Sequence, residues 1–198
     1  MAETAARRLE VARRRRCEAL GAREDAHALV LRDDVFGLVS WARQGGDLEA
    51  LDEEGCTPAC YAAMADKAAM LDALADCGVA LGGAGAAGTS HASLGAIAAS
   101  RGHINALKAL ATRLDLSSHA GRDGWTAAGA AALEGSVASL EALFALGVDL
   151  SRACNRHGEP PLVVATKLRH AAAAKCIERH ADARRRRPDP TSDLNPNL

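Results

Sequence analysis

The sequence predicts an all-α protein, a solenoid of stacked helix-turn-helix units joined by hairpin loops. Three observations predict it. Alanine supplies 46 of the 198 residues, and alanine both costs least in a helix and lets helix backbones approach closely. Aromatic residues make up only 3% of the chain, so a core of large rings is excluded and many small contacts must hold the fold. Similar segments also recur along the chain at a period near 33 residues, the signature of a stacked repeat.

The elements follow in order. Residues 1–23 read as a basic N-terminal helix carrying Arg13, Arg14, Arg15 and Arg16. Residues 24–48 form a divergent first unit that should cap the stack. Its Asp33-Asp34 precede Val35, Phe36, Leu38 and Val39, Gly45-Gly46-Asp47-Leu48 fits a unit end, and Trp41 stands where other units place a buried leucine. In the unit at 49–81, Thr57 is placed to cap the first helix and Pro58 follows at its first position, where a missing N–H is harmless. Gly78 is expected to close the second helix.

The unit at 82–117 carries Ala98-Ala99, Gly102-His103, Leu107 and Leu110; the unit at 118–151 carries Gly124-Trp125-Thr126, Ala131-Ala132, Gly135, Leu140 and Leu143. Ala98 to Ala131 and Leu107 to Leu140 are both 33 residues, while Gly124 to Gly158 is 34. Leu74 to Leu110 is 36, with the surplus in the loop Gly82–Gly88. That loop has few apolar anchors and is expected to be the most mobile part of the stack. The last unit, 152–182, runs from Pro160-Pro161-Leu162 to Cys176-Ile177 and His180. Residues 183–198 hold Arg184, Arg185, Arg186 and Arg187 and three prolines, and are expected to be disordered. Paired alanines keep each first helix thin enough for its neighbour to stack, and the leucines three apart form the buried stripe of each second helix.

This pattern over residues 30–182 resembles the ankyrin repeat family. The unit at 118–151 is the clearest copy. The family's Thr-Pro-Leu-His signature is degraded: Thr57-Pro58 is followed by Ala59-Cys60, Ser93-Leu94-Gly95-Ala96 replaces it next, the unit at 118–151 keeps only Thr126, and Pro160-Pro161-Leu162-Val163 ends the series. The signature's hydrogen bonds between turns should therefore be partly absent, and the array less stable than a consensus one.

Several functions are excluded or left without support. Twenty-four basic against 25 acidic residues give no general surface for polyanions. The stretch Cys77–Ser100 lacks charged side chains, but its glycines, alanines and serines contribute too little transfer energy for a membrane span. Six irregularly spaced cysteines without a Cys-x-x-Cys pair indicate free thiols in a reducing, intracellular compartment, cytoplasmic or nuclear, with an organelle as the alternative. Cys56 and Cys60 lie four apart, but a metal there would need two more ligands; a small buried Cys60 and a loop thiol at Cys56 are expected instead. No phosphate-binding glycine loop and no selected catalytic set appears, so the expectation is a non-enzyme with no cofactor and no metal.

The resemblance implies a protein-binding module whose contact surface is the hairpin tips and the inner helix face. Carried over residue by residue, that surface comprises Glu53, Glu54, Ser100, Arg101, Arg122, Asp123, Trp125, Leu133, Glu134, Arg156, His157, Glu159 and Lys167. Trp125 at a hairpin tip either anchors a partner or lies flat on the adjacent hairpin. The two four-arginine runs are anion-contact candidates or solvated charge. Three function classes remain: a small adaptor, which is favoured; an accessory structural subunit of a larger complex; and a nucleic-acid-associated protein using the arginine runs.

Overall fold

The computed structural model describes residues 25–82, 93–117, 124–152 and 154–185. Among the described residues there are ten α-helices and no strand: α1 (Ala26–Arg32), α2 (Val35–Arg43), α3 (Pro58–Met64), α4 (Ala68–Asp76), α5 (Leu94–Arg101), α6 (Ile104–Ala111), α7 (Ala127–Glu134), α8 (Val137–Ala145), α9 (Pro161–Lys167) and α10 (Ala171–Arg185). The protein is all-α. No helix among these residues is long and apolar enough to cross a membrane. The basic segment 1–23 and the Gly82–Gly88 loop, apart from Gly82, lie outside the described residues.

The helices pair antiparallel in sequence order and pack in two rows. In one row α1, α3, α5, α7 and α9 follow one another; in the other α2, α4, α6, α8 and α10 do the same. The turn inside each pair is one recurring device. Asp33, Asp66, Gly102, Gly135 and Arg169 all adopt left-handed backbone angles, at intervals of 33, 36, 33 and 34 residues. After each, an N–H closes back on the preceding helix, as from His103 to the Ala98 carbonyl at 2.9 Å and from Ser136 to the Ala131 carbonyl at 2.9 Å. These bonds satisfy carbonyls that a helix end otherwise leaves without partners.

The starts of the first-row helices repeat too. Thr57, Ser93 and Thr126 are buried, and each side-chain oxygen accepts from the third helical N–H at 3.2 Å. Gly78 and Gly147 close α4 and α8 with paired bonds, the Val79 N–H reaching the Leu74 carbonyl at 3.0 Å and the Val148 N–H the Leu143 carbonyl at 2.9 Å. The side-chain caps at Thr57, Ser93 and Thr126 stabilise by about 1 kcal/mol each.

The core lies between the rows. Ala62, Ala63, Ala98, Ala99, Ala131 and Ala132 are fully buried, as are Leu71, Leu74, Leu107, Leu110, Leu140 and Leu143. Full burial of each leucine contributes about 1.5–3 kcal/mol, so the leucine stripe binds the second row while the alanines set the close spacing of the first.

Trp41, expected as a core residue where other units place leucine, packs against the core at that position. The ring is half-buried against the core, and a Cβ on Gly46 would fall 2.2 Å from its Nε1. In the units at 49–81 and 118–151 the same pair of positions holds Leu74 with Val79 and Leu143 with Val148. The first unit thus exchanges a leucine–valine pair for tryptophan–glycine, a larger side chain fitted against an absent one. Helix α10 also runs to Arg185, so residues 183–185, expected to begin a disordered tail, are helical. Arg186 and Arg187 lie outside the described residues.

Candidate functional site

In the middle of the first row, solvent reaches only the helix ends. From Leu94 to Ala99 every residue of α5 is buried, Ser100 is half-buried and Arg101 is exposed. In α7 the buried run is Ala127–Ala132, followed by exposed Leu133 and Glu134. Leu133 is 37% exposed, one of few large apolar side chains so placed. Lys167 ends α9 in the same way and is exposed. These ends, and the hairpin turns carrying exposed Glu53, Glu54, Arg156 and His157, form the surface on which most of the expected contact residues fall. Arg122, Asp123, Arg13, Arg14, Arg15 and Arg16 lie outside the described residues, and the same holds for the side chains of Arg184 and Arg185.

Two expected contact residues, Trp125 and Glu159, are only partly exposed and engage their own hairpins. Trp125 is half-buried and packs against the core, not projecting from the hairpin tip. Its Cε3 would stand 2.8 Å from a Cβ on Gly129, and the Cys154 carbonyl oxygen 2.7 Å from it. Glycine at 129 therefore lets the indole and the next hairpin close on α7 together. The backbone seals this arrangement, with the Thr126 N–H donating to the Cys154 carbonyl at 3.0 Å and the Cys154 N–H to that of Glu159 at 2.8 Å.

The carboxylate of Glu159 forms an ion pair with Lys167 and accepts from Asn155 Nδ2 at 3.0 Å. The Lys167 and Asn155 hydrogen bonds, in that order, hold its carboxyl below the usual range despite some burial. Glu159 thus organises its own hairpin, and Lys167 is tied to it.

Cys60 is buried and Cys56 half-buried. The hydrogen bond with Cys56, then burial, raises the Cys60 thiol far above its ordinary range. Around this pair, the phenol of Tyr61 donates to Asp52 Oδ2 at 2.6 Å, and His27 Nε2–H donates to the Cys56 carbonyl at 3.0 Å. His27 also meets Tyr61 edge to face, with ring centroids 5.7 Å apart.

A second cluster lies between α8 and α10. His180 Nε2 is 2.8 Å from Glu141 Oε2, and the Cys176 thiol donates to Glu141 Oε1 at 3.5 Å. Arg179 completes the group with an ion pair to Glu141. The His180 ring stacks on Phe144 with centroids 3.8 Å apart, and both line a cleft of about 320 Å³ with Asp149, Leu150, Ser151, Ile177 and Ala181. Burial disfavours ionisation of Glu141, but hydrogen bonds from His180 and Cys176 and the charges of His180 and Arg179 outweigh it and hold the carboxyl low.

Sequence reasoning missed this group. The available signal was Cys176 and His180 four apart, one helical turn, but Glu141 joins them only because α8 and α10 pack side by side. No family model matches the chain, and no curated protein matches it.

Proposed function

We propose that the chain is a divergent ankyrin-type repeat protein that acts as a non-catalytic protein-binding module. Two rows of helices, the recurring left-handed turn and the buried Thr57, Ser93 and Thr126 caps support the repeat reading. Docking uses the hairpin turns and the exposed ends of the first-row helices. The observation that carries this reading is the confinement of exposure in α5 and α7 to Arg101, Leu133 and Glu134, beside helices otherwise buried. A rigid row of ends mixing apolar and charged side chains offers a pre-organised surface, which limits the ordering cost of association.

The test is affinity capture from native extract using the full-length protein and an Arg101→Glu, Leu133→Glu double variant. Both residues are exposed, so the variant should melt as the parent does. Loss of specific captured proteins at unchanged stability supports the surface. Capture of an identical set by both forms overturns it and favours a subunit held by another face.

A further inference from the structure

Three donors of different chemistry converge between α8 and α10. Cys176 and His180 stand one turn apart on α10, and Glu141 faces them from α8. One donor atom from each lies within 4.8 Å of the other two. The geometry points to a binding site for a divalent cation of the zinc class, ligated by the Cys176 thiolate, His180 Nε2 and a Glu141 carboxylate oxygen.

The spacing fits that cation. Zinc–sulfur bonds near 2.3 Å and zinc–nitrogen or –oxygen bonds near 2.0–2.1 Å, set tetrahedrally, separate donor atoms by about 3.3–3.6 Å. Cys176 Sγ and Glu141 Oε1 are already 3.5 Å apart. His180 Nε2 lies 2.8 Å from the other carboxylate oxygen, Oε2, so the carboxylate must turn for one oxygen to face both donors, and this hydrogen bond opens as the cation replaces the shared proton. A thiolate with an imidazole selects zinc-like metals over magnesium or calcium, which prefer all-oxygen shells.

Binding is balanced in protons. The Cys176 thiol gives one proton to solvent; the Nε2 proton that His180 shares with Glu141 shifts through solvent to Nδ1 of a neutral ring, or is released to solvent from an imidazolium, so that Nε2 is free to ligate. Three protein ligands leave the fourth tetrahedral position to water.

The Arg179 guanidinium now occupies part of this electrostatic role. It pairs with Glu141 and lies 3.9 Å from Cys176 Sγ. Its side chain is 65% exposed, so it can turn outward and surrender the carboxylate. A cation therefore competes with Arg179, which makes that residue a handle on affinity without being a ligand.

Titration of the reduced full-length protein with Co²⁺, followed by thiolate-to-cobalt charge-transfer absorption and by displacement with Zn²⁺, tests the site. One equivalent should bind with that absorption. Cys176→Ser should abolish the band, and Cys77→Ser should keep it. Glu141→Gln, at a half-exposed position, should weaken binding at least tenfold with the fold intact by circular dichroism. Arg179→Ala should tighten it several-fold. Absence of the band in the parent protein overturns the proposal. So does a band that survives both Cys176→Ser and Glu141→Gln, or that disappears with Cys56→Ser and Cys60→Ser while surviving Cys176→Ser.

Discussion

His103 Nδ1 lies 3.0 Å from the carbonyl oxygen of Ala63, forty residues earlier in the chain. A carbonyl can only accept, so the imidazole carries its proton on Nδ1 in this contact. Other interfaces use the same position or, at Ser139, one a helical turn further on. Lys67 Nζ donates to the Leu31 carbonyl at 3.1 Å, His170 Nε2–H to that of Leu133 at 3.0 Å, and the Ser139 hydroxyl to that of Ala99 at 2.7 Å. Each reaches the C-terminal end of the preceding first-row helix, where carbonyls lack intrahelical partners. These four side chains tie each first-row helix from α1 to α7 to the helix pair that follows it. Replacing His103 with alanine should cost about 1–2 kcal/mol, because a carbonyl at a packed interface loses its donor. Urea unfolding checks this, with His103→Gln expected to recover part of the loss.

The Trp41–Gly46 contact predicts a reciprocal pair of defects. Gly46→Val should destabilise by about 1–3 kcal/mol through overpacking. Trp41→Leu should destabilise by about 2–4 kcal/mol through the cavity it leaves. The double variant restores the leucine–valine pair of the later units and should be more stable than the sum of the single losses. A thermal double-mutant cycle reads the coupling; simple additivity would show that the two residues do not compensate.

Acid should loosen the C-terminal half first. Glu141 and Glu159 both have carboxyls held below the ordinary glutamate value of 4.5. A depressed folded value means that their contribution is complete above the unfolded value and is lost as pH falls through the folded one. Melting temperature should therefore decline from about pH 4.5 downward, and Glu141→Gln with Glu159→Gln should flatten that decline while lowering stability at neutral pH. Parallel pH profiles for parent and variant would contradict it.

Thiol labelling should follow packing. Cys154 is buried, and burial followed by the Glu159 charge pushes its thiol up to about 11. Cys77 is half-buried at the end of α4. Iodoacetamide at neutral pH should modify Cys77 well before Cys154 or Cys60, since the thiolate is the reacting form. Mass spectrometry of timed samples gives the order; early labelling of Cys154 would mean that the last hairpin opens readily.

Much of the local architecture was legible because it depends on neighbours in sequence. Thr57-Pro58 announces a helix start, Gly78 and Gly147 announce ends, and leucines three apart mark a buried stripe. Each acts through backbone hydrogen bonds or side-chain direction within a few residues. Exposure was partly legible, since helix ends such as Arg101 and Glu134 stay exposed wherever neighbouring helices cover the rest.

The remainder depended on distances between units. Trp125 could project or fold down, and only the approach of Cys154 to Gly129 draws it inward. Asp66 looks like a turn residue, yet its carboxylate accepts from the Ala106 N–H at 2.8 Å and from Asn105 at 2.9 Å, capping the start of α6 in the next unit. Glu141 stands 35 residues before Cys176 and 39 before His180, too far along the chain for local spacing to join them. Periodicity determined which face of each helix is buried, because that follows from residue spacing along one chain. Which polar groups meet across two stacked helices was decided by the tertiary structure, because it follows from helix offset and rotation, to which a one-dimensional repeat is blind.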